Sequence, residues 1–335
     1  MAIFEPSGRR TEDGGVLDRI LTLELARVTE ATAMAAARFR GRGDEMAADR
    51  AAVAAMRDEL DRLPIDGTVV IGEGEPEEVD TLFIGEKVGA GKGPAVDVAL
   101  VPLEGTTICA KNLPNSITVM AFADAGSLLH APDVYMDKIA IGPGYPAGLV
   151  DLDRTPAENL TALAAAKGVP VGEITACILD RPRHAKLIEE VRQAGASIRL
   201  IGDGDVTGVI HTTEPVETGI DIYMGLGGAP EGVLAAAALR CIGGQMQGRL
   251  VLDRPEKLER ARRMGITDPR RKYGLEDMAR GDVLFAATGV TDGNFLQGVK
   301  FGRNCVTTHT VVMRSSTGTV RWIRARHMLG ERGPC

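Results

Sequence analysis

Acidic and hydroxyl side chains follow two predicted strands, in an order that suits metal ions and phosphate. The first strand ends in Gly-Glu-Gly-Glu at residues 72–75, and a later one ends in Glu104-Gly105-Thr106-Thr107. Carboxylate oxygens bind hard cations such as Mg²⁺ or Mn²⁺, while backbone amides and hydroxyl groups beside a glycine can contact a phosphate. A surface turn is the alternative explanation for each motif taken alone.

Two glycine-rich segments follow later predicted strands. The segment 225–232 opens a predicted helix whose free amides would attract an anion, although a tight strand-to-helix connection also explains it. The segment 202–208 resembles a dinucleotide-binding loop, but the GxGxxG pattern would require glycine at Thr207. Asp203 and Asp205 would also repel a pyrophosphate, so we interpret them as acceptors of hydrogen bonds from sugar hydroxyls.

Arg183 and His184 follow Pro182 at the end of another predicted strand. Ligands gather at the carboxyl edge of open α/β sheets, so both side chains are candidates for binding phosphate. For His184 alone, a position on a helix surface is the competing interpretation. The five histidines are dispersed and the five cysteines are scattered without a CxxC pair, which argues against a zinc site and a disulfide framework and favours a reducing cytoplasm.

Composition defines the class of protein that must position these residues. The chain has 335 residues, 44% of them hydrophobic, which is enough for a sizeable globular core. Its formal net charge is −7 and it has no long basic run, so neither nucleic acid nor a membrane surface is an expected partner. The polar residues 1–13 lack the apolar core of a signal peptide, and no apolar stretch has the length of a membrane span.

Hydrophobic periodicity predicts an α/β protein with two sheets. Helices are predicted over 16–39 and, with Asp44 as N-cap, over 47–63. The turn Asp124-Ala125-Gly126 between two β-rich runs predicts a hairpin. After Pro146, short strands alternate with helices in the βαβ rhythm of a parallel sheet. Further strands are predicted in two C-terminal stretches and could complete either sheet: 283–287 and 307–326.

We therefore expect two domains, each containing a sheet. The N-terminal α+β domain, residues 1–148, would carry most of the metal ligands. The C-terminal α/β domain, residues 149–335, would carry the substrate-binding loops.

Nearly the whole chain resembles the class II fructose-1,6-bisphosphatases, within the metal-dependent sugar and inositol phosphatase superfamily. The motifs that carry the resemblance are residues 23–30, 41–44, 48–49, 72–75, 101–107, 131–138 and 286–293. The resemblance implies a layered αβαβα fold and hydrolysis of the 1-phosphate of fructose 1,6-bisphosphate to fructose 6-phosphate and phosphate, by direct attack of a metal-activated water. It also implies a cytoplasmic enzyme of gluconeogenesis or a related sugar-phosphate cycle, and we expect a homo-oligomer, either a dimer or a tetramer.

The resemblance also implies roles for individual residues. Mg²⁺ or Mn²⁺ would be held by Asp49, Glu73, Glu104 and Glu231. Catalysis would rest on Glu73, Glu104 and on Thr106, whose hydroxyl would position or polarise the attacking water. Substrate would be bound by Glu104, Gly105, Thr106, Tyr135, Arg183, His184, Asp203, Gly204, Asp205 and Gly228.

Two positions depart from the family pattern. Val101 replaces an aspartate that would contact two cations, and valine offers no oxygen. Asp97 lies four residues earlier on the same strand face, which at ~3.3 Å per residue places it roughly 13 Å away, too far to substitute. Glu45 stands where the family often has a lysine. Two alternatives to the bisphosphatase therefore remain: a catalytically weak or inactive paralogue that binds sugar bisphosphates, and a phosphatase for sedoheptulose 1,7-bisphosphate.

Overall fold

The computed structural model describes residue 17 and the ranges 21–73 and 81–329. The helices in this part of the chain are α1 (Leu21–Ala36), α2 (Glu45–Leu60), α3 (Thr106–Ala110), α4 (Pro156–Lys167), α5 (Ala185–Gln193), α6 (Asp205–Ile210), α7 (Pro215–Thr218), α8 (Ala229–Ile242), α9 (Pro255–Arg263) and α10 (Leu275–Met278). The strands are β1 (Asp66–Ile71), β2 (Lys87–Val88), β3 (Ala95–Glu104), β4 (Ile117–Asp124), β5 (Tyr135–Ile141), β6 (Thr175–Leu179), β7 (Ser197–Ile201), β8 (Ile222–Gly228), β9 (Gln245–Leu250), β10 (Tyr273–Gly274), β11 (Val283–Gly289), β12 (Lys300–Phe301), β13 (Cys305–Arg314) and β14 (Thr319–Met328).

The strands form two sheets. The first has the order β12-β13-β11-β4-β3-β1-β2, and β14 pairs with β13 as well. The second has the order β10-β9-β5-β8-β6-β7. Strand β6 pairs in parallel with both β7 and β8, which is the βαβ arrangement expected from the sequence.

Helices and sheets alternate in five layers. Helices α1 and α2 cover the outer face of the first sheet, α8 lies between the sheets, and α4 and α5 cover the far face of the second. The alternation of side chains along β5 follows this layering, because Met136 and Ala140 face α8 whereas Ile139 and Ile141 face α4 and α5. The predicted α/β fold with two sheets is confirmed.

The two sheets do not divide the chain at residue 148. Strand β5 precedes that position but lies in the second sheet, and β11 to β14 follow it but lie in the first. The second sheet is therefore built from a segment inserted between the parts of the first. The C-terminal strands, which the sequence could assign to either sheet, complete the first one.

The prediction of a hairpin around Asp124-Ala125-Gly126 is wrong. Strand β4 ends at Asp124 and is already paired with β3 on one side and β11 on the other, so no edge is free for a returning strand. Leu128 instead bridges to Ala279 and donates its amide to the carboxylate of Asp97, at 3.0 Å.

The second N-terminal helix begins as the sequence predicts. The carboxylate of Asp44 accepts a hydrogen bond from the amide of Ala47, at 2.9 Å, and so caps α2. The first helix is described from Leu21, so its predicted start at residue 16 lies outside the described residues.

The described cysteines are of two kinds. Cys109, Cys177 and Cys241 are buried and free, as expected, but Cys305 is disulfide-bonded, against the expectation. No helix within the described ranges is long and apolar enough to cross a membrane.

Candidate active site

A group of carboxylates lies at the end of β3, where the first sheet approaches α6. Glu104 is the last residue of that strand and is only 5% exposed. One of its oxygens accepts a hydrogen bond from the amide of Val206 in the first turn of α6, at 3.0 Å. Burial raises the pKa of Glu104 well above its usual range, and the charges of Glu231, Asp205 and Asp203 raise it further.

Glu73 joins this group from the segment just after β1. Its backbone bridges to Leu82, and the 2.9 Å bond from the Glu73 amide to the Leu82 carbonyl fixes its place. Burial raises the pKa of Glu73 to about 8, and the charges of Asp49 and Glu231 also raise it. Asp49 lies on α2, and burial also raises its pKa. The carboxylate of Glu73 is therefore close to those of Asp49 on α2 and Glu231 on α8.

Glu231 lies in the first turn of α8 and folds back over Gly228. A Cβ atom at Gly228 would come within 1.7 Å of the Glu231 carboxylate oxygen Oε2, so a larger residue there would displace this carboxylate. This oxygen is buried and has no hydrogen-bond partner among the described residues. Burial raises the pKa of Glu231, while the positive charge of Lys138 lowers it.

The donors fit a hard divalent cation. Within the described ranges, no three acidic, histidine or cysteine side chains form a preassembled metal-binding group. The charges of Asp49 and Glu231 nevertheless raise the pKa of Glu73, and the charge of Glu231 raises that of Glu104. Oε2 of Glu231 has no hydrogen-bond partner among the described residues. Buried carboxylates require a counter-charge, and carboxylate oxygens are the ligands that Mg²⁺ and Mn²⁺ prefer.

Val101 contributes no oxygen to this group. It is buried in the apolar cluster between the first sheet and α8, where it pairs across the ladder with Val119. The strand is irregular between Val101 and Glu104, which ends β3 with Glu104 beside α6. Asp97 accepts the amide of Leu128 and is buried, so its carboxylate is already engaged away from position 101.

Gly105 and Thr106 lie at the turn from β3 into α3. Gly105 has a φ of 78°, a left-handed conformation that favours glycine and lets the chain enter the helix at once. Thr106 is the first residue of α3 and is partly exposed. Thr106 therefore follows the buried Glu104 by only two residues, at the start of a helix.

Tyr135 and Arg183 come together beside the end of β8, where Tyr135 pairs with Gly228. The Arg183 guanidinium lies 4.5 Å from the centre of the Tyr135 ring and donates a hydrogen bond to the Leu226 carbonyl at 3.0 Å. Both side chains are exposed. The ammonium group of Lys257 lies 5.9 Å from the same ring, a neighbour that the sequence did not single out.

His184 is placed differently from the expectation. It is buried, with Nδ1 at 2.7 Å from the Leu179 carbonyl and Nε2 accepting the Leu226 amide at 2.8 Å. Both ring nitrogens are thus used by the backbone, and burial lowers the pKa of the imidazole. His184 therefore connects β8 with the end of β6. Neither ring nitrogen is left to bind a phosphate.

Asp203, Gly204 and Asp205 surround the start of α6. Gly204 has a φ of 87° and donates its amide to the Asp203 carboxylate at 3.0 Å. Asp203 is partly exposed, whereas Asp205 is buried in an ion pair with Lys138. Lys138 was not among the candidates predicted from the sequence. It could have been noticed as a charged residue within an otherwise apolar face of β5.

A layered α/β fold with a carboxylate site at the end of β3 defines the class of the metal-dependent sugar phosphatases. The chain belongs to the bacterial fructose-1,6-bisphosphatase family, glpX-encoded, whose sequence model matches residues 19–327. It is 44% identical over 330 residues to fructose-1,6-bisphosphatase 1 class 2 of Escherichia coli K12, covering 94% of this chain and 97% of the relative. The same values hold for fructose-1,6-bisphosphatase class 2 of Escherichia coli O6:H1 and of Shigella flexneri. The family expected from the motifs is confirmed.

Proposed function

We propose that the chain hydrolyses the 1-phosphate of fructose 1,6-bisphosphate with the help of a divalent cation. The observation that carries this proposal is the proximity of carboxylates from four segments at the end of β3, in a chain so similar to enzymes named for that reaction. We place the activity in the cytoplasm, in gluconeogenesis or a related cycle, and in a dimer or tetramer of the chain.

Asp49, Glu73, Glu104 and Glu231 would hold the cation, as Mg²⁺ or Mn²⁺. When bound, such an ion neutralises phosphoryl oxygens and lowers the pKa of a water molecule. The protein's own part is to keep these carboxylates wholly or partly buried, where electrostatic interactions are stronger than in water. The Gly105 amide and the Thr106 hydroxyl follow Glu104 directly in the chain and would orient the phosphate and the water.

The sugar and its phosphates would be bound by the second sheet. Arg183, held on the Tyr135 ring, offers charged donors beside the end of β8. Asp203, Gly204 and Asp205 at the start of α6 would accept the sugar hydroxyls or line their site, beside Gly228. His184 would support this group without touching the substrate.

Val101 favours a second candidate function. An apolar side chain packed in the core stands where an aspartate shared by two cations would be. The two cations would therefore lack a common ligand. A weak or inactive paralogue that still binds sugar bisphosphates fits this observation. A phosphatase for sedoheptulose 1,7-bisphosphate is the third candidate, which only a substrate panel separates from the first.

Phosphate release tests the proposal directly. We expect slow or undetectable hydrolysis of fructose 1,6-bisphosphate by the chain and a gain of at least about 100-fold in Val101→Asp, at saturating Mn²⁺ and Mg²⁺. Val101→Asn is the matched control, because it adds a polar side chain of similar size without the charge. Circular dichroism checks the fold of each protein, and sedoheptulose 1,7-bisphosphate is assayed in parallel.

Three outcomes separate the candidates. Turnover in Val101→Asp alone supports a bisphosphatase weakened at this position. Binding of fructose 1,6-bisphosphate without turnover in either protein supports the paralogue. Equal turnover in the chain and in Val101→Asp contradicts our account of the metal site.

A further inference from the structure

Lys138 is a buried cation beneath the carboxylate group. Only 1% of the lysine is exposed, and its ammonium group forms an ion pair with Asp205 and donates a hydrogen bond to the Gly228 carbonyl at 2.8 Å. The lysine stands on β5, Asp205 opens α6, and Gly228 ends β8. One side chain therefore connects three elements that meet at the sugar-binding side of the site.

The surrounding glycines leave space for this contact. A Cβ atom at Gly227 would lie 1.7 Å from the Asp205 oxygen that Lys138 contacts and 2.9 Å from the lysine Nζ. A Cβ atom at Gly232, in α8, would lie 3.3 Å from the lysine Cδ, so the aliphatic stem passes directly under the helix. The ion pair thus occupies a close-fitting space that substitution of either glycine would narrow.

The arrangement constrains Asp205 more than a surface pair could. A buried lysine and aspartate hold each other because either charge alone in this environment would be costly to bury. Oδ2 of Asp205 is taken by the lysine, and its Oδ1 is buried from solvent. The same carboxylate neighbours the buried hydroxyl of Tyr223, whose pKa is raised by burial and also by the charge of Asp205 and a hydrogen bond to it. Asp205 therefore faces inward, and the partly exposed carboxylate beside it at the start of α6 is that of Asp203.

We propose that Lys138 is a positioning residue of the sugar-binding site. By holding Oδ2 of Asp205 beside the Gly228 carbonyl, it fixes the start of α6, and with it the direction in which the neighbouring Asp203 carboxylate is offered to a sugar hydroxyl. Lys138 itself does not touch the substrate. The inference rests on the proposed function, because the ligand is the sugar phosphate of that reaction.

Binding of fructose 6-phosphate, measured by calorimetry in the presence of Mg²⁺, tests the role without requiring turnover. We expect Lys138→Met to weaken binding by at least about tenfold, the scale of one lost charge-assisted hydrogen bond. Lys167→Met is the matched control, since Lys167 forms a 2.6 Å ion pair with the buried Asp221 in the same half of the protein. This control should lower thermal stability and leave the dissociation constant unchanged.

A double-mutant cycle distinguishes positioning from general support of the fold. If Lys138 acts through Asp205, the double variant Lys138→Met/Asp205→Asn should bind no more weakly than Asp205→Asn alone. The double variant also removes the unpaired buried charge, so it provides a folded protein if Lys138→Met alone unfolds.

Two results would overturn the inference in different ways. Independent, additive losses in the cycle, or unchanged binding by folded Lys138→Met, would remove the positioning role and leave the proposed function intact. A parent chain that binds neither fructose 6-phosphate nor fructose 1,6-bisphosphate would overturn the proposed function itself, and the inference with it.

Discussion

The carboxylate of Glu104 accepts a hydrogen bond from the amide of Val206 across 102 positions of sequence. Glu104 ends a strand of the first sheet, and Val206 lies in the first turn of a helix that follows a strand of the second. The bond uses one oxygen of the carboxylate, so the same residue ties the two sheets together and still presents its other oxygen to the site. Loss of Glu104 would therefore disturb both the contact between the two sheets and the carboxylate site.

Gly227 is expected to be intolerant of a side chain. Gly227→Ala would place a methyl group only 1.7 Å from an oxygen of the Asp205 carboxylate, and so should lower the melting temperature by several degrees. Gly202→Ala is the control, because no atom lies within 4 Å of a Cβ at that position. Thermal unfolding of both variants gives the comparison, and equal melting temperatures would contradict this close packing.

Glu231 is expected to contribute to metal binding and little to the stability of the metal-free protein. Glu231→Gln keeps the size of the side chain and removes its charge, so it should weaken binding of Mg²⁺ or Mn²⁺ by about tenfold or more. Without metal it should be at least as stable as the parent, because burial raises the pKa of Glu231 and its Oε2 lacks a partner among the described residues. Calorimetry with each metal provides the measurement, and equal affinity in both proteins would remove Glu231 from the site.

Arg183 is expected to contribute to phosphate binding. Charge-assisted hydrogen bonds contribute about 1.5 to 3 kcal/mol, so Arg183→Ala should weaken binding of fructose 1,6-bisphosphate by roughly tenfold or more. Arg192→Ala, an exposed arginine of the adjoining helix α5, should bind as the parent does. An unchanged dissociation constant in Arg183→Ala would move the phosphate site elsewhere.

The metal-free protein should lose stability as the pH rises through the range in which Glu73 titrates. The pKa of this carboxyl is about 8 in the folded chain against an ordinary value of 4.5, so between these values the unfolded chain binds fewer protons. The free energy of unfolding then falls with rising pH from about 5 to about 8. Glu73→Gln should flatten part of this slope, measured by urea denaturation across the range, and a parallel slope in both proteins would contradict the assignment.

The sequence located the carboxylates because they follow patterns that are local. Glu73 and Glu104 come directly after predicted strands, and Glu231 opens a predicted helix. Their proximity depends on strand ends meeting at one edge, which the fold class implies. The individual roles of these residues remain predictions.

What the sequence missed depends on contacts between distant segments. Lys138 is one charged residue on a strand, and only the pairing of β5 with β8 places its ammonium group between Asp205 and Gly228. The prediction of a hairpin after β4 was wrong for the same reason, because β11, which comes much later in the sequence, pairs with that edge of β4. His184 looked like a ligand because nothing local shows that the Leu179 carbonyl and the Leu226 amide occupy both of its nitrogens.

The insertion of the second sheet within the first has a consequence for biosynthesis. Strand β4 leaves the ribosome long before its partner β11, since the whole second sheet is translated between Asp124 and Val283. At about 5 to 20 residues per second, this interval lasts on the order of ten to thirty seconds. During that time the buried strand has one unpaired edge, the feature that recruits chaperones or neighbouring nascent chains. The first sheet is begun early and finished only as the last strands emerge.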